Sequence, residues 1–137
     1  MATYNAPAMS QSPVTKAGIN HVVFPYTCPS VTVGGEVGAI INYGVVPAYS
    51  EIIDVKLITE AHEASSTLSV GYTNSDATAA TYFLATTAIS AAAAPTSISL
   101  PYYPTHDTTI TGAIGTGTMT ATKKSYVVVS YNYIGQP

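Results

Sequence analysis

A chain of 137 residues with a single cysteine fits one domain, long enough to bury a core without disulfide or metal staples. Only 8% of its residues are charged, where soluble domains average about 25%. The four basic residues are all Lys and the net charge is −3, so the clustered cations that nucleic acid requires are missing.

Membrane is no better a partner on this reading, because no apolar run approaches the 18 or so residues of a spanning helix. Residues 1–13, MATYNAPAMSQSP, lack the basic start and apolar core of a secretory signal, so synthesis in the cytosol is expected. Ser, Thr, Ala, Gly, Asn and eleven Tyr must cover the surface. So neutral a surface repels its neighbours weakly, which suits a component packed against other protein in an assembly.

Residues 1–20 hold neither the helical nor the strand period, and Pro7, Pro13 and Gly18 punctuate them. They read as an extended arm ahead of a domain spanning 21–137. Such an arm either frays or orders on a neighbouring subunit, with Tyr4, Pro7, Met9 and Val14 as its contact residues. HVVFPY is a short strand that Pro25 restricts to an edge or a strand end. His21 has no partner at metal spacing, and Cys28 reads as a small buried hydrophobe. A strand is expected from Val31 to Val33, broken by Gly34-Gly35, and another within EVGAIINYGVVP.

The clearest alternation runs from Glu51 to Leu84. In EIIDVKLIT, Ile53, Val55 and Leu57 form one face, while Ile52, Asp54, Lys56 and Ile58 form the other. In TLSVGYT, Leu68, Val70 and Tyr72 share a face, and the two strands are expected in one sheet. TNSD turns the chain, and a further strand follows over Tyr82 to Thr86. Glu60, His62 and Glu63 offer no third metal ligand and read as a solvated loop.

A helical turn through Ala91 to Ala94 and a small strand at Ile98 and Leu100 are expected before Pro101. Tyr102 and Tyr103 lie between prolines, either as a rigid contact pair on a loop or as caps on the core. Adjacent His106 and Asp107 point apart in an extended chain and have no nucleophile turn to serve, so no catalytic set is expected. GAIGTGT lacks the strand-to-helix setting of a phosphate loop and reads as a flexible hairpin between strands. Lys123 and Lys124 solvate a turn, and SYVVVSYNYIG is apolar enough on both faces to be a central strand.

About eight strands at roughly ten-residue spacing describe an all-β chain, an antiparallel β-sandwich of jelly-roll type. From about Gly34 to Ile134 the chain also resembles the small decoration, or cement, proteins of tailed bacteriophage heads. The resemblance rests on EIIDVKL, TLSVGYTNSDATAATYFLA, YPTHDTTITGAI and SYVVVSYNYI. It implies a homodimer or homotrimer on the outside of the virion capsid, bridging major capsid protein subunits, with no cofactor and no enzyme activity. A glycan- or host-binding β-sandwich, stacking exposed Tyr rings on sugars, is the alternative, disfavoured by the absence of Trp.

Overall fold

The structure is a computed structural model, and it describes residues 3–10, 15, 17–89 and 102–135. The strands are β1 (Thr3–Asn5), β2 (Gly18–Thr27), β3 (Ile40–Val46), β4 (Ser50–Thr59), β5 (Thr67–Thr73), β6 (Thr78–Ala88), β7 (Thr108–Ile114) and β8 (Lys124–Tyr133). A 3-10 turn, Pro7–Ser10, is the only helical element among the described residues. Val14, the Ala91 to Ala94 turn, and the strand expected at Ile98 and Leu100 lie outside the described residues.

Two sheets face each other, a larger one in the order β1-β3-β7-β5-β6 and a smaller one in the order β2-β8-β4. Beyond β4, Ile52 and Tyr102 exchange both backbone hydrogen bonds, at 2.7 and 3.1 Å, which places Tyr102 in a fourth position of the smaller sheet. The pairs then nest: β2 with β8, β3 with β7, β4 with Tyr102, β5 with β6, alternately in the smaller and the larger sheet. A long hairpin rolled over on itself gives this order, and it is the jelly-roll connectivity expected from strand spacing.

Between the sheets the core is built from alternate residues of each strand. Ile41, Tyr43, Val46, Leu68, Val70, Ile110 and Ile114 come from the larger sheet, and Ile52, Val55, Leu57, Val127, Val129 and Tyr131 from the smaller. β8 lies between β2 and β4, so SYVVVSYNYIG does form a central strand. Tyr43 is wholly buried, and its hydroxyl satisfies its polar end on Ser125 Oγ at 2.7 Å.

Several expectations from the sequence change. β4 and β5 belong to different sheets, because the 60–66 connection crosses from one layer to the other, and alternation records burial but not sheet membership. A bulge between Ile52 and Asp54 reverses the face of β4, so Ile52 is buried and Ile53 exposed. Val31 to Val33 form a turn, since Ser30 Oγ accepts from the Thr32 and Val33 amides and folds the chain back. The GAIGTGT connection joins β7 and β8, which lie in opposite sheets, so it is a crossover and not a hairpin. β2 begins at Gly18 and so takes in the last residues of the segment read as an arm.

Candidate assembly interface

The first candidate surface is the arm and what it lies against. β1 pairs in parallel with β3, Ala6 N donates to Asn42 O at 2.8 Å, and Asn42 Nδ2 donates to Asn5 Oδ1 at 2.9 Å. Within the described residues 3–10, Ala6 and Ala8 are buried. The Tyr4 hydroxyl donates to Glu36 Oε2 at 2.5 Å, while Gly34 N donates to Glu36 Oε1 at 2.8 Å. Both bonds favour the ionised carboxylate, and the Tyr4 bond, the larger of the two causes, holds Glu36 below the usual carboxylate range.

Beside the arm runs a groove of about 470 Å³ lined by Tyr4, Pro7, Pro25, Pro29, Tyr126 and Lys124 among others. Its floor includes Tyr26, whose hydroxyl donates to Gly34 O at 2.7 Å and whose burial pushes its pKa up to about 12. Pro7 is exposed and Met9 half-buried. Past the groove, the 31–37 loop exposes Val31, Val33 and Val37 with Glu36 as its only charge. Val31 and Val33 were expected within a strand, and none of the three valines was expected as a contact residue. A Gly pair inside VTVGGEV, which turns the chain and leaves short apolar side chains outside, was the available signal.

The second candidate surface is the Tyr102 and Tyr103 pair, and the structure separates its members. The Tyr102 ring stacks on Tyr72 with centroids 4.5 Å apart and planes at 26°, and it meets Tyr82 and Phe83 at tilted or edge angles. Asn74 Nδ2 donates to the Tyr102 hydroxyl at 3.1 Å, and bonding to Tyr102 together with burial pushes Tyr72 up to about 12. Tyr102 therefore caps the core where β5 and β6 meet the end of the smaller sheet. Tyr103, 45% exposed, faces solvent.

The residues considered for chemistry stay apart. His106 Nε2 lies 3.3 Å from Asp76 Oδ1 at the surface, while Asp107 Oδ1 accepts from Ala48 N, so neighbouring His and Asp do point in different directions. Cys28 is buried with its Sγ toward Ser30 O, and burial pushes its thiol up, which suits a packing residue. His21 is exposed and shares a bond with Ser130 Oγ at 2.6 Å. His62 is not solvated as its loop position suggested. It is buried, and its Nδ1 accepts from Thr120 N at 3.1 Å, because the 60–66 crossover folds under the 115–123 crossover. Among the described residues no three His, Cys, Asp or Glu come together as a metal site.

No family model and no curated protein matches the chain. Among solved structures it is similar to a chain in the capsid of Ralstonia phage GP4, with 17% identity and a TM-score of 0.77 over 98% of this chain and 100% of that one. A chain in the acid-stable capsid of the Helicobacter pylori bacteriophage KHP30 is 18% identical, with a TM-score of 0.62 over 87% of this chain and 90% of that one. A chain of the cyanophage Pam1 capsid asymmetric unit is 16% identical, with a TM-score of 0.55 over 92% and 94%. What the three have in common with this chain is the fold, a jelly-roll β-sandwich matched over nearly the whole length of both partners.

Proposed function

We propose that the chain is a structural virion protein that binds the outside of a phage head and cements neighbouring major capsid subunits. One observation carries the reading: 98% of this chain matches 100% of a chain from a phage capsid, with a TM-score of 0.77. The neutral, Tyr-rich surface supports it, since such a surface suits permanent packing against protein better than a free life in solution. The role asked of the chain is mechanical and not catalytic.

In this reading the contacts to the shell come from the arm (Tyr4, Pro7, Met9 and Val14) and from Tyr103, with Tyr102 holding Tyr103 in place. Clamping works by mass action: a protein that binds only the expanded lattice stabilises that lattice, and weak contacts repeated over many copies add up. The glycan-binding alternative has less support, because the Tyr102 ring is already stacked on Tyr72 and leaves Tyr103 without its neighbour as a sugar platform.

Co-sedimentation with expanded heads that lack the protein tests the proposal. Saturation at a multiple of the lattice copy number, with heads made more resistant to heat, supports cementing. Absence of binding overturns it. Deleting residues 1–10 then separates the arm from the rest of the surface.

A further inference from the structure

A β-sandwich has four sheet edges, and exposed edges are normally shortened, bulged, charged or covered, because an open row of N–H and C=O groups recruits another strand. Three edges here are managed. β1 has only three residues, β6 is broken by two register shifts against β5, and β4 is met by Tyr102. β2 is different. It is ten residues long, keeps unbroken register with β8, and carries no Lys, Arg, Asp or Glu. Among the described residues no strand pairs with its outer edge.

The polarity of that edge follows from one proline. Pro25 has no N–H, yet it stays in register with Tyr126, so the ladder to β8 is made by Phe24 and the other even-numbered residues. Ile19, His21 and Val23 therefore direct both N–H and C=O to the open side. Their side chains lie on the outer face of the sheet, with Ile19 61% and Val23 56% exposed. The groove beside Pro25 and the arm bound this stretch at one end, and Gly18, with φ at 95°, bounds it at the other.

We infer that β2 pairs antiparallel with β2 of a second copy about a two-fold axis at His21. The edge is self-complementary in this register. Ile19 meets the partner's Val23, His21 meets the partner's His21, and Val23 meets the partner's Ile19. Each such pair exchanges two hydrogen bonds, and the Ile–Val pairs add cross-strand packing of β-branched side chains. Pro25 cannot continue the ladder, which fixes the register. Two three-stranded sheets thus become one of six strands. A contact of this length covers well under the roughly 1,000 Å² of a stable interface, so pairing is concentration-dependent, and holding copies side by side on a surface strengthens it. The inference rests on the reading of the chain as an assembly component, but not on what it assembles with.

The test uses the purified full chain without heads. In a hydrogen-bonded antiparallel pair the two Cα atoms lie about 5.5 Å apart, inside the disulfide range of about 4.4–6.8 Å. His21→Cys is expected to give a disulfide-linked dimer on mild oxidation. Ile19→Cys and Val23→Cys singly are expected not to, whereas the two together restore the link. The wild-type chain, whose Cys28 is buried, serves as control. Val23→Pro removes an outward N–H and spares the β8 ladder, and sedimentation across a concentration series is expected to show loss of the dimer with an unchanged melting temperature. Val23→Lys serves the same purpose should the proline variant fail to fold. A monomeric wild type throughout the series, or an oligomer in which His21→Cys does not cross-link, overturns the inference. Neither result bears on head binding, which is read separately by co-sedimentation.

Discussion

The Tyr4 hydroxyl and the Glu36 carboxylate are 32 residues apart in sequence and meet at 2.5 Å, fastening the arm to the 31–37 loop. The bond lowers the Glu36 pKa, so its contribution is fully present above the ordinary carboxylate range and is lost as pH falls through the depressed folded value. Amide exchange at Ala6, whose N–H bonds Asn42 O, reports arm attachment directly. Protection at Ala6 is expected to drop in Tyr4→Phe and Glu36→Gln at neutral pH and in the wild type at acid pH. Core amides such as Val129 should be unaffected. Equal loss in arm and core would show that the bond does not act on the arm alone.

A second acid response has a different origin. Burial lowers the pKa of His62, and Nδ1 is occupied as acceptor from the Thr120 amide, so protonation there must break the tie between the two crossovers. The Lys124 carbonyl and Glu60 oppose the shift and Lys123 adds to it, burial remaining the largest cause. Because the folded pKa lies below the unfolded one, stability from this site is present above the ordinary imidazole pKa and declines as pH falls through the folded value. Denaturant midpoints from pH 8 to pH 5 are expected to fall in the wild type and to flatten in His62→Gln. An unchanged slope would place the acid sensitivity elsewhere.

Gly71 lies on β5, an interior strand between β7 and β6, where a Cβ would collide with the Ala79 carbonyl and the Ala80 backbone of β6. Backbone cannot swing aside as a side chain can, so Gly71→Ala is expected to cost about 3 kcal/mol, at the upper end of overpacking penalties. Urea unfolding measures it. A loss below about 1 kcal/mol would mean that the strand pair opens at little cost.

Strand periods and turn residues made the layered β fold legible, because each records burial or backbone conformation locally. Asn74 closes the TNSD turn through its own side chain, accepting from the Asp76 and Ala77 amides, as short polar residues in a turn are expected to do. The sequence was silent where the outcome depends on partners far along the chain. The Ile52 bulge reverses a face without changing composition, and assigning β4 and β5 to separate sheets depends on what β8 and β7 prefer as neighbours. The same limit applied at the surface. That Tyr102 is claimed by Tyr72 while Tyr103 is not cannot be read from a Tyr-Tyr dipeptide, since the choice is made by β5.

That choice separates folding from recognition in a single pair of substitutions. Tyr102→Ala removes a ring that stacks on Tyr72, contacts Phe83 and accepts from Asn74, and is expected to cost about 2–4 kcal/mol of stability. Tyr103→Ala removes a largely exposed ring and is expected to stay within about 0.5 kcal/mol of wild type. If Tyr103 contacts the shell, its loss should weaken co-sedimentation with heads at unchanged stability, since an aromatic anchor at an interface carries a disproportionate share of binding. Full binding by Tyr103→Ala, with a matching melting curve, would remove this loop from the contact surface and leave the arm and its groove as the remaining candidate.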